Sequence, residues 1–506
     1  MKKKLLPALI VTGLIILVVI IMGITALINK YTPTKKTEDL KEYFNISSDD
    51  EAALIVDNEL SDYKAKIIDK KIYVDYKFVH DSLNSRFYWD ANENVLLYTT
   101  ASDIISAAAD SNSYSVTKQT NDFGYPIVKA TSDSALIALD YVKQYSNITF
   151  KSYDDPARIV ITSKWDEIDS ATVSKSTQVR VKGGIKSPIL KEVKKDDKIT
   201  ILDSGDKWDK VATEDGVIGY IKRKALSESK KTKLTNPDYE EETFTHIKKD
   251  KDICLAWNQV TSQSANSKVP QVISSTKGIN VMSPTWFYLN DNNGNLADIA
   301  SKDYVSYCHS QGIEVWGLFS NLENTDVDAA YVLTHTSTRT TLINQIMSAA
   351  FNYELDGVNI DFENITEAAY GDSYIEFIRE LAIKCHNNGI SLSVDVTVPA
   401  SFNKFFNRSD MANFADYIVI MGYDEHYKGS DAGSVSSIPW VTEGVESTLK
   451  EVPADQIILG MPFYTRIWEL TPKEDDDAVT DTEDQSKYTV ASQVYSCLLY
   501  TSDAAD

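Results

Sequence analysis

Cysteine and histidine are scarce in this 506-residue chain, which holds four of the first and six of the second. Cys254, Cys308 and Cys385 are scattered without the spacing of a metal site or a disulfide framework, so free buried thiols are expected. No histidine cluster suggests zinc, and His426 beside Asp424 and Glu425 reads as a rim residue rather than a ligand. Positive charge is short as well. Against 74 Asp and Glu stand 51 Lys and Arg, a net charge of −23, which argues against nucleic acid and against adhesion to anionic lipid or teichoic acid. A 43% hydrophobic content allows several soluble domains.

One short segment is informative in its own right: Asp356-Gly357-Val358-Asn359-Ile360-Asp361-Phe362-Glu363. As a strand it turns Val358, Ile360 and Phe362 to one face and Asn359, Asp361 and Glu363 to the other. Acids depress strand formation, and like charges two residues apart repel. Side chains at i and i+2 point the same way roughly 6.6 Å apart, so Asp361 and Glu363 can address one group of substrate atoms. In a cavity, desolvation and the neighbouring charge raise the proton affinity of one carboxyl. A protonated carboxyl beside an ionised one is the equipment of acid-catalysed glycoside cleavage. A solvated strand face with two surface acids is the alternative.

From about residue 252, short apolar runs alternate with amphipathic stretches. The runs are Ile253-Cys254-Leu255-Ala256-Trp257, Ile279-Asn280-Val281-Met282, Ile313-Glu314-Val315-Trp316, the motif itself, 390–398, 417–421 and 457–461. Helices are expected at 340–353 and 373–387, the latter stopped by Asn388-Gly389. Seven strands in about 210 residues suit a (β/α) barrel better than an open sheet. In the fifth run Leu392, Val394, Val396 and Val398 alternate with Ser391, Ser393, Asp395 and Thr397, apolar toward the helices and polar toward a lumen.

The eight-residue segment resembles the D-G-x-D-x-D-x-E signature of glycoside hydrolase family 18, and Met421-Gly422-Tyr423-Asp424 is similar to that family's M-x-Y-D motif. Ser283-Pro284-Thr285-Trp286-Phe287 and Gly460-Met461-Pro462-Phe463-Tyr464 with Arg466 are similar to its second and seventh strand ends. The likeness covers 245 to about 495, nearest the bacterial spore-cortex and peptidoglycan N-acetylglucosaminidase branch. It implies Glu363 as general acid and the substrate's own 2-acetamido oxygen as nucleophile. Asp361 then orients the acetamido nitrogen, Tyr423 bonds its carbonyl oxygen and Asp424 holds the sugar, with no metal and no cofactor. Asn359, Asp395, Trp286, Trp316, Tyr464 and Arg466 are the further expected substrate contacts, with Asp356 and Gly357 structural. Trp257, Trp286, Trp316 and Tyr464, at strand ends, offer faces for sugar stacking or serve as core. Asn359 departs from the signature's middle Asp and removes a charge, which eases ionisation of Asp361 and alters the acid limb of the pH profile.

Ahead of the barrel, Lys2-Lys3-Lys4 precedes an apolar run over 5–28, long enough at about 1.5 Å per residue to cross a bilayer. Residues 1–30 are therefore expected as a cytoplasmic tail and membrane anchor with extracellular domains beyond. Cleavage to a secreted form is the alternative. A tether follows at 31–46. Residues 47–166 contain two similar units, 71–100 and 125–162, and resemble the α+β module named from the N-terminus of copper amine oxidases, with no copper implied. Residues 174–228 resemble a bacterial SH3-type domain, a binder of cell-wall peptide or glycan or else a folded spacer, and 229–244 are a linker. The barrel, 245–496, is expected to lack its eighth strand, and 497–506 resemble translated sequencing-adapter sequence. The expected whole is a multidomain (β/α)8 TIM-barrel hydrolase, a monomer acting on cell-wall glycan. Peptidoglycan is favoured, with chitin, N-glycans, or glycan binding without cleavage as alternatives.

Overall fold

The computed structural model describes residues 2–365, 368–473 and 485–496; the acidic stretch 474–484 and the adapter-like tail 497–506 lie outside them. The chain divides into two compact units, residues 1–85 with 127–241 and residues 86–126 with 242–506.

The first unit opens with a helix, Lys2–Tyr31. Its segment Ile10–Tyr31 is apolar and long enough to span a membrane, with mean hydropathy 2.9. A seven-stranded sheet follows, in which Glu51–Val56 pairs in parallel with Arg158–Thr162 and the remaining pairs are antiparallel. Strand-then-helix occurs twice, Lys71–Asp75 into Tyr76–Ser82 and Ala135–Ala138 into Leu139–Tyr145, and those two strands pair. A second, antiparallel sheet runs from Glu167–Thr172 to Lys230–Lys233, wider than the expected 174–228. One core joins Phe44, Ala53 and Ile55 to Val179, Val211 and Ile221.

The expected α+β module at 47–166 is divided by the structure. Its middle leaves the first unit as a five-stranded antiparallel meander: β1 (Phe87–Asp90), β2 (Val95–Thr99), β3 (Ile104–Ala108), β4 (Ser113–Val116) and β5 (Gln119–Asp122). The two sequence repeats share their strand and helix, but the aromatic strand Phe87–Asp90 goes to the meander while Thr149–Tyr153 stays in the first sheet.

In the second unit all seven expected strands form and pair in parallel, in chain order: β6 (Leu255–Asn258), β7 (Val281–Leu289), β8 (Glu314–Ser320), β9 (Gly357–Asp361), β10 (Ser391–Thr397), β11 (Tyr417–Met421) and β12 (Ile457–Gly460). Among the described residues β6 and β12 share no ladder, so the sheet has a seam where a closed barrel has none. Residues after β12 make an antiparallel hairpin, β13 (Tyr464–Pro472) with β14 (Tyr488–Ser496). Helices α1 (Thr336–Tyr353) and α2 (Gly371–His386) connect β8 to β9 and β9 to β10. Gly389, at φ 68, ends the stretch after α2 as Asn388-Gly389 predicts. Val358, Ile360, Leu392, Val394 and Val396 join the core together with helix residues such as Ile346, Phe377 and Leu381. Their alternating neighbours therefore face the opposite side of the sheet.

The meander is packed on α1 and α2 by buried polar contacts. Asp90 Oδ2 accepts from Thr336 N and Thr336 Oγ1 at 2.6 Å each, satisfying donors at the N-terminus of α1. Thr99 Oγ1 donates to Glu376 Oε1 at 2.7 Å, and Tyr88 Oη lies 2.9 Å from Ser373 Oγ. No disulfide links the described cysteines. Cys308 and Cys385 are buried as expected, whereas Cys254 is exposed: it lies just before β6, at the open seam.

Candidate active site

The motif strand β9 supplies Asn359 and Asp361 to the inner face and hands the chain to Glu363 just past its end. Gly357 is obligatory by space: a Cβ there would lie 2.5 Å from the Trp316 ring. Asp356 fixes the entry of the strand, its Oδ2 accepting from Val315 N and lying 2.8 Å from His309 Nε2. At the exit Phe362 is buried and stacks on Phe377 of α2 with centroids 5.5 Å apart, which pins the backbone beside Glu363.

Asn359 is fully buried, and both heteroatoms of its carboxamide are bonded. Oδ1 accepts from Trp257 Nε1 and Ser283 Oγ, both at 3.0 Å, and Nδ2 donates to Asp395 Oδ1 at 2.8 Å. It therefore supports the site and does not present itself to substrate, which corrects the expected contact. The same holds for Asp395, which is 4% exposed and bound to Asn359. Trp257, met in the sequence as a stacking candidate, has its indole nitrogen committed to Asn359 and its ring edge-on to Tyr423.

Burial, then Glu363, then Glu323, push the Asp361 carboxyl up to about 7. Its Oδ1 is buried without a hydrogen-bond partner. Glu363 is exposed at the mouth, yet desolvation by the surrounding walls and then the charge of Asp424 raise its pKa. Burial first, and then Asp361, hold Asp395 well above the carboxylate range, against the opposing bond from Asn359. The Tyr423 hydroxyl is raised by burial and by Asp395, Asp361 and Glu363. Asp424, at φ 60 in the left-handed region that Asp tolerates, places Oδ1 3.2 Å from Arg466 Nη2 of β13. Tyr464 also bonds Asp424 and lies edge-on to Tyr423, with centroids 6.1 Å apart. The hairpin thus brings Tyr464 and Arg466 to the Met421–Asp424 segment.

Two expected sugar contacts are not at the mouth. Trp286 is fully buried on the helix side of β7, its Nε1 donating to Asn266 Oδ1 at 2.8 Å and its ring edge-on to Tyr304. Trp316 is fully buried on the inner face of the sheet at the opposite end of the strands, stacked on Tyr417 with Nε1 donating to Glu314. Alternation fixes the face of a strand residue but not its depth: Trp316 is in register with Gly357, two inward positions below the Ser320–Asp361 pair. Ser283 and Glu323 are the residues that sequence reasoning missed. Ser283 was visible as the start of the second strand-end motif, and Glu323 carried no signal.

The raised carboxyl at 361 has a measurable cost. An acid whose pKa is higher folded than unfolded favours the fold fully below its unfolded value near 4, and that contribution is lost as pH rises through about 7. Asp361→Asn is therefore expected to stabilise the protein by about 1–3 kcal/mol at pH 8, the gain vanishing below about pH 4. Urea unfolding at both pH values checks this. Asn359→Asp would set a second carboxylate against Asp395 Oδ1, so that one of the two must hold a proton. It is expected to raise the proton affinity of Asp361 and move the acid limb of the hydrolysis profile to higher pH. Superimposable profiles would contradict this.

Residues 319–497 match the model of glycosyl hydrolases family 18. The glycosylase YvbX of Bacillus subtilis strain 168 is 25% identical over 194 residues, which cover 36% of this chain and 55% of that protein. The cortical fragment-lytic enzyme of the same organism is 26% identical over 187 residues, covering 35% of this chain and 43% of it. The chain thus spans about half the length of these curated relatives. The crystal structure of the Bacillus cereus spore cortex-lytic enzyme SleL is 18% identical, with TM-score 0.41, covering 49% of this chain and 56% of that one. The region that matches the family 18 model holds β9, its carboxylates and the Tyr423-Asp424 pair, so the likeness falls on the candidate site itself.

Proposed function

We propose that this protein is a membrane-anchored, extracellular glycoside hydrolase that cleaves β-1,4 bonds after N-acetylglucosamine in peptidoglycan, with retention and with the substrate's acetamido group as nucleophile. The observation that carries the reading is the placement of Asp361 and Glu363 at one barrel mouth, both with raised proton affinity and both facing the Tyr423 hydroxyl. Glu363 gives its proton to the glycosidic oxygen as the bond from C1 breaks, and the acetamido oxygen closes on C1 as an oxazolinium ion. Asp361, ionised, holds the acetamido N–H and faces the positive charge, while Tyr423 donates to the acetamido oxygen. Water then attacks C1, Glu363 takes its proton, and the ring reopens. Proximity and preorganised charge supply the rate, since the nucleophile arrives with the sugar. No metal or cofactor enters these steps. Asp424, Tyr464 and Arg466 line the same mouth and contact the sugar.

The anchor is read from residues 5–28 behind three lysines, with a secreted form as the second possibility. The SH3-like sheet within 167–233 and the α+β sheet are read as wall-contact or spacer modules. A (β/α)8 barrel, closed by one further strand across the β6–β12 seam, is the architecture proposed for the hydrolase. The motif reads the 2-acetamido sugar and not its neighbour, so chitin and N-glycan cleavage remain the second reading. Incubating the full chain with purified peptidoglycan and, separately, with chitin oligomers distinguishes them by mass spectrometry. Muropeptides ending in reducing N-acetylglucosamine support the first reading. Chitin cleavage alone moves the substrate to the second, and binding without cleavage of either rejects a hydrolase.

A further inference from the structure

We propose that Glu323 is a positioning residue of the hydrolytic site, pinned at the rim so that its carboxylate faces Asp361; the proposal rests on the hydrolase reading above. The short segment after β8 is stitched to the motif on both sides. Ser320, 2% exposed and the last residue of β8, is the register partner of Asp361, and its hydroxyl donates to Glu323 Oε2. The next residue, Asn321, is buried and accepts through Oδ1 from Asn364 N at 3.2 Å, immediately past Glu363. The segment that carries Glu323 is therefore tied to the motif segment beside Asp361 and just past Glu363, although nearly forty positions separate them in sequence.

The groups that face Asp361 are Glu363 on its own segment, Glu323 after β8, Asp395 on β10, Tyr374 on α2 and Tyr423 after β11. Every one is acidic or neutral. Arg466, the guanidinium at this mouth, pairs with Asp424. Glu323 thus adds negative potential beside an Asp361 oxygen that has no hydrogen-bond partner. That potential opposes ionisation of Asp361 in the free protein. It becomes favourable when positive charge develops on the sugar ring and the acetamido group, so it is realised in the transition state and not in the ground state. Glu323 is exposed, so its influence is reduced but not abolished by salt.

The test compares the native full chain with Glu323→Gln and with Glu323→Asp. The protonated-carboxyl infrared band that Asp361→Asn removes reports the Asp361 titration without any need for turnover. In Glu323→Gln its midpoint is expected to fall by about half a pH unit, about a threefold change in ionised fraction on the acid side. On glycan, kcat is expected to fall about three- to tenfold with KM little changed, the acid limb moving to lower pH, and Glu323→Asp restoring both. An unchanged Asp361 midpoint overturns the proposal however active the native protein is. A shifted midpoint in a protein that cleaves no glycan supports the coupling and rejects the hydrolase reading instead.

Discussion

Glu363→Gln is expected to lower glycan hydrolysis by about a thousandfold while leaving glycan binding within a few-fold of native. Gln keeps the size and the hydrogen-bonding reach of the side chain but has no acidic proton to transfer to the leaving oxygen. A positioned general acid contributes roughly 10²–10⁴-fold. Desolvation and then the charge of Asp424 raise the pKa of Glu363, which favours the proton-bearing form that a general acid needs. Initial rates on peptidoglycan and equilibrium binding to the same material, measured on both proteins, check the expectation. Hydrolysis within tenfold of native would remove Glu363 from the proton-donor role.

The largest expected effect on stability lies beneath the meander. Arg339 of α1 is fully buried; its Nε donates to Glu380 Oε1 of α2 at 2.9 Å, its Nη1 donates to Leu333 O at 2.7 Å, and its guanidinium sits 5.0 Å from the centre of the Tyr88 ring of β1. Burial pushes Glu380 up to about 7 even with Arg339 opposing it. Arg339→Met strands Glu380 without its counter-ion, and breaking a buried pair from one side costs about 3–5 kcal/mol. Arg339→Met combined with Glu380→Leu is expected to recover most of that loss, because no buried charge is then left alone. Urea midpoints of the three proteins provide the measurement, and an unchanged midpoint for Arg339→Met would contradict the account. The same contacts mean that cutting the chain at residue 245 would remove the partner of α1 and α2 along with the meander. Since Phe362 is stacked on α2, the motif would loosen with it.

The motif strand was legible because its chemistry and its geometry share one period. Val358 and Ile360 go to the helix side and Asn359 and Asp361 to the other, and an alternation of two specifies a face without reference to any distant residue. The seven strands and the end of α2 were legible for similar local reasons. What alternation lacks is depth along the strands. Trp316 and Asp361 share the inner side, yet one is floor and the other mouth, because the stagger of neighbouring strands places them two inward positions apart. Trp286 was misplaced for a different reason: it follows the irregular register of β7 near Thr285 and Phe287 and ends on the helix side.

By itself the sequence determined the acid pair, the parallel α/β order and the apolar segment near the N-terminus, since each is written within a few turns or a single strand. Only the tertiary structure decided that Asn359 is locked between Trp257, Ser283 and Asp395, that Glu323 is bonded to Ser320 beside Asp361, and that residues 87–122 belong with the unit that holds β6 to β12. Asp90 meets Thr336 across 246 positions and Trp257 meets Asn359 across 102. Contacts of that range arise from packing many elements at once, and no local pattern of side chains encodes them.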